Sequence, residues 1–358
     1  MSVFGINKLL IHSLKDVLIQ LVEVVCFELG EGALPNRREN GLGLGAADPL
    51  EEIVFDKILD TMFLEKLLKQ NFLCSRAERG YGSLHANGLS PNPITKPMKK
   101  TVMPPPTNDH DNKDVHVVTL PLFRSAPAFT QVKQAPGIAN CPVAAILAAL
   151  AFTAVGQKTI QRMLFQTTAS VSTDLSGIPA DTLSNPPPGN TLSSSRYFTV
   201  ALDGGSIDVS DVLYTDDHDR GWSPFYLRDP GNQTMWGAVI EKALAVKLKS
   251  YENFDASDTN ANEFWKIITG ADPGGFEIKN DTPLGTISDA VKASTRVPTI
   301  GASKPNGTDV KFVSEFHGFA ILGFKGASIQ LYDPAKAKTL QITPANFRHD
   351  FQAILFLK

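Results

Sequence analysis

The sequence predicts an α+β chain in which a helical part is followed by an antiparallel sheet, with a helical extension at the N-terminus. Three observations carry this expectation. Residues 142–151 are almost wholly Ala, Leu, Ile and Val after an opening proline, the composition of a buried helix. Residues 236–245, Trp-Gly-Ala-Val-Ile-Glu-Lys-Ala-Leu-Ala, read as an amphipathic helix. Residues 298–301, 316–324, 328–332 and 353–357 read as strands, with Gly and Pro marking their turns.

Length and charge bound what such a chain can be. With 358 residues it is long enough for two domains, or for one large domain with an extension. A formal charge of −3 leaves no basic footprint for nucleic acid and no polybasic membrane patch. The three cysteines, Cys26, Cys74 and Cys141, form neither a disulfide framework nor a zinc-binding spacing, which favours a reducing compartment. Lys8, Lys15, Asp16 and Glu23 interrupt the apolar N-terminus, so no membrane span and no standard secretory signal is read there. The expected location is cytoplasmic, or outside the cell by a route without a standard signal peptide.

In chain order, Leu10, Leu14, Val17, Leu18, Leu21 and Val25 recur at helical spacing over 8–27. After a Gly-rich break, Asp48-Pro49 opens a second helix running to about 73, with Ile53, Ile58, Leu59, Met62, Phe63, Leu67 and Leu68 as its apolar stripe. Residues 1–79 are therefore an N-terminal helical extension, suited to docking in cis or on a partner. Residues 80–114, with Pro91, Pro93, Pro97 and Pro104-Pro105-Pro106 among polar residues, read as a Pro-rich linker. The third region, 115–358, starts with a strand at 115–120. A helix at 157–165 follows the apolar one, then a Ser/Thr/Pro/Gly-rich surface excursion over 167–195, a strand at 196–202, a short strand at 224–227 and a helix at 286–294.

Cys141 stands immediately before Pro142, at the mouth of the apolar helix. Free peptide N–H groups and the positive end of the macrodipole meet there, and a thiol so placed loses its proton more readily. His317 opens the apolar strand 316–324, and Asp333 follows the strand after it. Paired as a hairpin, those strands bring an imidazole near a carboxylate. A thiol, an imidazole and a group that orients the ring are what nucleophilic acyl transfer requires.

The cysteine helix, the Trp-helix with Glu241-Lys242-Ala243, the His317-Gly318 strand and Asp333-Pro334 occur in the order of the calpain-like cysteine proteases, and this part of the chain resembles their catalytic core. The segment 346–354, Asn-Phe-Arg-His-Asp-Phe-Gln-Ala-Ile, resembles the helix and strand that close that core. The resemblance implies a papain-like fold of a helical lobe and an antiparallel sheet lobe over 115–358, with the active site between them. It implies a cysteine-type endopeptidase acting on protein or peptide substrates through a thioester, with Cys141 as nucleophile, His317 as base and Asp333-Pro334 where the family has Asn-Pro. Gln134 is the residue nearest the family's oxyanion glutamine, one position further from the cysteine than is usual there.

Ala139-Asn140-Cys141-Pro142 replaces the family's Gly-Asp-Cys-Trp, and Ala335-Lys336 replaces the Trp-Gly that shields the imidazole. No cofactor or metal is expected, and calcium is not implied: the Asp216-Asp217-His218-Asp219 cluster reads as a solvated acidic loop. Two other functions fit the same residues. One is a deamidase or transglutaminase, which shares the acyl-enzyme and differs in what resolves it. The other is an inactive calpain-like binding module.

Overall fold

The computed structural model describes residues 99–105, 114–178, 183, 187–216, 222–254, 261–305 and 313–358. All belong to a unit spanning Pro91–Lys358. The expected N-terminal helices, Cys26, Cys74 and Asp217-His218-Asp219 lie outside the described residues.

The architecture is α+β. In chain order the elements are β1 (Lys99–Val102), β2 (Asp114–Val117), α1 (Cys141–Phe152), α2 (Ala154–Met163), β3 (Leu164–Asp174), β4 (Thr191–Leu202), β5 (Gly205–Ser210), β6 (Val212–Asp216) and β7 (Ser223–Pro224). Then come α3 (Trp236–Leu248), α4 (Ala261–Thr269), β8 (Gly274–Glu277), α5 (Leu284–Ala293), β9 (Thr299–Ser303), β10 (Gly318–Lys325), β11 (Ser328–Asp333), β12 (Lys338–Ile342), α6 (Pro344–Asp350) and β13 (Phe351–Phe356). They form a six-stranded sheet ordered β12-β11-β10-β9-β13-β8, a four-stranded sheet β1-β3-β4-β5 and a three-stranded sheet β2-β6-β7.

Helix α1 is the centre of the packing. Val143 through Ala151 are all buried, as expected of a helix that is apolar on every side. It packs on β9 and β10 and on α2 and α4. The six-stranded sheet sorts its side chains by the period of two of a strand: Ala320 and Leu322 join the core around α1, while Phe319 and Ile321 join a second core with Ile287 and Val291 of α5 and Phe347 of α6. The sheet therefore has helices on both faces. The chain breaks sharply at Thr153, where α1 and α2 meet at 115° and the Thr153 hydroxyl accepts the Gly156 N–H as the cap of α2. Among the described residues no single helix is long and apolar enough to cross a membrane.

Several segments differ from the sequence expectation. The tract 167–195, read as a surface excursion, has a strand at each end: β3 and β4 pair antiparallel from Leu164↔Val200 to Asp174↔Thr191. Ser and Thr dominate the outward positions there, and β-branched Thr suits a pleated, half-solvated surface as well as it suits a loop. Part of the segment read as linker is likewise folded. Strand β1 pairs parallel with β3, Thr101 and Met103 are buried, and the carbonyls of Pro104 and Pro105 accept from the Tyr214 hydroxyl (3.1 Å) and the Tyr251 N–H (3.2 Å). Prolines fit that role because the segment offers carbonyls rather than N–H groups. Helix α3, read as amphipathic, is buried on all sides from Trp236 to Ala245, Glu241 and Lys242 included. The sequence reading also missed β5, β6, α4, β8 and β12.

Because Met103 is completely buried while its neighbour Lys100 is exposed, the segment is held by packing rather than by the Lys100–Asp174 ion pair. Met103→Ala is expected to lower stability by about 2–5 kcal/mol, whereas Lys100→Ala changes it by less than about 1 kcal/mol. Urea denaturation of both variants checks this.

Candidate active site

Asn140 caps α1 and Cys141 is its first residue. Pro142 follows in the first turn, where its missing N–H removes a donor that would have had no acceptor in the helix. An Asn at this position ordinarily folds its side-chain oxygen back onto the first turn. Here it does not: the Asn140 amide donates to Glu241, and its Oδ1 has no partner. The N–H groups of the first turn are thus not capped by the residue best placed to do so, and they stay available to an anion at the half-buried Cys141.

The strand that carries the histidine comes directly against this helix end. Gly318 begins β10, and a Cβ there would lie 3.1 Å from the Cys141 carbonyl oxygen and 3.1 Å from the Ala145 Cβ. A Cβ at that distance is tighter than nearly all real contacts, so a side chain here would require the strand or the helix to give by a few tenths of an ångström. His317, one residue earlier, is fixed by its own backbone: its N–H donates to Ser303 Oγ (2.9 Å) and its carbonyl accepts from the Ser303 N–H (2.9 Å). Its ring packs edge-on against Phe319 at 4.7 Å.

Asp333 arrives through the hairpin. Ala320 of β10 pairs with Tyr332 of β11, which sets the end of β11 beside the start of β10. Asp333 Oδ1 accepts from His317 Nε2 at 2.9 Å and from the N–H groups of Ala335 (3.0 Å) and Lys336 (3.3 Å). Turn chemistry before Pro334 and orientation of the imidazole are therefore served by the same oxygen. Asp333 Oδ2 lies 3.2 Å from the half-exposed ammonium of Lys336.

With Nε2 engaged by Asp333, Nδ1 is the ring nitrogen left to face the thiol. Burial would lower the pKa of His317, but the Asp333 carboxylate and the nearby Cys141 side chain outweigh it and push the value up to about 9. Burial would raise Asp333, and the His317 bond and the Lys336 charge reverse this, holding it below the usual carboxylate value. Cys141, His317 and Asp333 are thus brought together, with an imidazole that favours its protonated form beside the ionised Asp333. The Cys141 thiol also lies 3.8 Å from the Phe316 carbonyl oxygen.

Gln134 is nearby but differently engaged. Its backbone N–H donates to the Pro334 carbonyl (3.0 Å), and its side-chain amide donates to Ile138 in the loop leading to Cys141. That nitrogen has a second N–H, and any oxyanion role would fall to it. Tyr332 ties the same loop down from the sheet, its hydroxyl donating to the Val132 carbonyl at 2.7 Å.

Sequence reasoning missed the support beneath the cysteine. Glu241 is buried in α3, accepts the Leu227 N–H at 2.7 Å on Oε2 and takes the Asn140 amide on Oε1. Burial raises its pKa to about 8 against the lowering effect of those two bonds. Lys242, equally buried, donates to the carbonyls of Ser210 (3.2 Å) and Val212 (2.6 Å) and to Ser210 Oγ (3.1 Å). Two adjacent ionisable residues inside an otherwise apolar helix were the available signal. Consecutive residues point about 100° apart on a helix, so both cannot hide on one narrow polar face. Arg196 plays a similar part, binding Asp211 at 2.8 Å and the carbonyl of Leu120 at 2.9 Å.

Among the described residues no cluster of His, Cys, Asp or Glu has metal-binding geometry. Asp216 is paired with Arg228 at 3.0 Å. An apolar groove bounded by Phe276, Ala290, Val297 and Phe356 contains none of the residues discussed above. No family model matches the sequence, and no curated protein matches it.

Glu241→Leu leaves the Leu227 N–H and the Asn140 amide buried without an acceptor and is expected to cost about 2–5 kcal/mol. Glu241→Gln keeps an acceptor and costs less. Because the Glu241 carboxyl holds its proton more tightly when folded, its contribution is complete below 4.5 and lost as pH rises through about 8. The difference in denaturation free energy between wild type and Glu241→Gln is therefore expected to change across that window, with wild type losing ground as pH rises. Urea titrations at several pH values measure it.

Proposed function

We propose that the chain is a thiol endopeptidase with a papain-like, calpain-related core, in which Cys141, His317 and Asp333 act together. The observation that carries this reading is the buried His317 ring, bonded to Asp333 at 2.9 Å and set between Phe316, whose carbonyl lies 3.8 Å from the Cys141 sulfur, and Gly318, which meets the Cys141 backbone. The chain order of the motifs and the packing of α1 against helices α2 and α4 and against the antiparallel strands β9 and β10 support the comparison with calpains.

The reaction follows from the geometry. The Cys141 thiolate, held at a helix N-terminus beside an imidazolium, attacks the peptide carbonyl carbon. The oxyanion meets the free N–H groups of the first turn of α1. Collapse breaks the C–N bond, the His317 proton passes to the departing amine, and a thioester to Cys141 remains. Water then attacks the thioester while His317 takes its proton, and the acid product leaves with the thiolate restored. Asp333 stays ionised throughout, orienting the ring and stabilising its positive charge.

Incubation of wild type and Cys141→Ala with a denatured protein and with a peptide library tests the proposal. New amino termini formed by wild type only are the expected result. Ammonia release without new termini would redirect the reading to deamidation. An iodoacetamide probe that labels Cys141 no faster than Cys26 or Cys74 would end both. Acylation needs the imidazolium, so kcat/KM is expected to fall as pH rises through about 9. Asp333→Asn retains the turn but removes the charge opposite the ring, so that limb should move to lower pH. Stopped-flow or fluorogenic pH profiles of the two proteins make the comparison.

A further inference from the structure

Phe316 is the most exposed large apolar side chain among the described residues, at 70 %. It is next in sequence to His317, and its own carbonyl oxygen lies 3.8 Å from the Cys141 sulfur. Its backbone is unusual as well. Phe316 has φ +48°, in the left-handed region that a bulky aromatic residue rarely enters. Hydrogen bonds hold it there on both sides: the Phe316 N–H donates to the Lys304 carbonyl at 3.1 Å, and the His317 N–H donates to Ser303 Oγ at 2.9 Å. A strained residue kept in place by its surroundings beside a reactive group is the pattern of a functional position. Glycine would meet the backbone requirement without strain, so the aromatic ring is present for something other than the turn.

We propose that the Phe316 side chain is the apolar contact for whatever Cys141 attacks, selecting extended polypeptides that carry a large apolar side chain next to the bond under attack. The inference depends on the acyl-transfer reading of the site. A substrate carbonyl placed on the sulfur comes beside the Phe316 backbone, whose carbonyl oxygen is 3.8 Å from the sulfur, and the exposed ring belongs to that same residue. Covering the ring with an apolar group removes both surfaces from water, whereas a polar group of similar size gains nothing and loses hydration.

The test uses the Cys141→Ala chain, which binds without turning over, and fluorescein-labelled peptides of random sequence around one fixed Leu, Phe, Ser or Asn. Anisotropy titration is expected to show Leu and Phe peptides binding about tenfold more tightly than their Ser and Asn counterparts. Adding Phe316→Ser should abolish that preference while leaving the polar peptides within about twofold. Phe316→Leu should restore it, which a merely structural role for the residue would not predict. Equal affinity of the two peptide classes, a preference that survives Phe316→Ser, or no peptide binding would overturn the proposal. Parallel cleavage assays of the Cys141 chain separate the two claims. Binding that prefers apolar peptides through Phe316, with neither cleavage nor ammonia release, would sink the enzymatic reading and leave the contact standing.

Discussion

The approach of Gly318 to the first turn of α1 sets the geometry on which everything around Cys141 depends. With only 3.1 Å between a Cβ placed there and the Cys141 carbonyl, the sheet and the helix are pressed together at one residue. His317 immediately precedes that contact, so its ring is delivered beside the thiol by a backbone constraint rather than by a long, adjustable side chain. The hairpin β10–β11 then brings Asp333 to the other edge of the ring. A misplacement of even an ångström between helix and strand would spoil the juxtaposition of thiol and imidazole.

A layer of buried polar groups keeps that contact in register. Glu241 holds Leu227 and the cap residue Asn140, Lys242 closes the corner between β5 and β6, and Tyr332 and Pro334 bind the loop at Val132 and Gln134. Each of these would be costly if left unpaired in a dry interior, which is why they come with partners. Some buried polar atoms are left without a partner among the described residues, Gln134 Oε1 and Asn140 Oδ1 on the approach to Cys141 and Asp211 Oδ1, Asn232 Oδ1 and Trp265 Nε1 elsewhere. Phe316, beside the thiol, is one of several non-glycine residues with positive φ.

Much of this was legible in the residues, and the misreadings share a cause. The apolar helix after Pro142 was readable because Ala, Leu, Ile and Val on all faces leave only a buried helix as an outcome. His317 and Asp333 were readable as partners because a short hairpin between two alternating strands brings their ends together. The Thr/Ser strands β3 and β4 were not, since local composition does not distinguish a solvent-facing strand from a loop until a neighbour offers its hydrogen bonds. Strand β1 was hidden for the same reason: its Pro-rich surroundings imitate a linker, and only β3, Tyr214 and Tyr251 make it part of the fold.

By itself the sequence determined the α+β class, the helix that bears Cys141 and the order in which thiol, imidazole and carboxylate occur, because these depend on periodicity and on neighbours a few residues away. Only the tertiary structure decided that Glu241 supports Asn140, that Gln134 spends its amide on Ile138, and that Phe316 stands exposed beside the sulfur. Those are matters of which groups remain for pairing once distant segments have packed, and burial of a polar atom has no local signature in the chain.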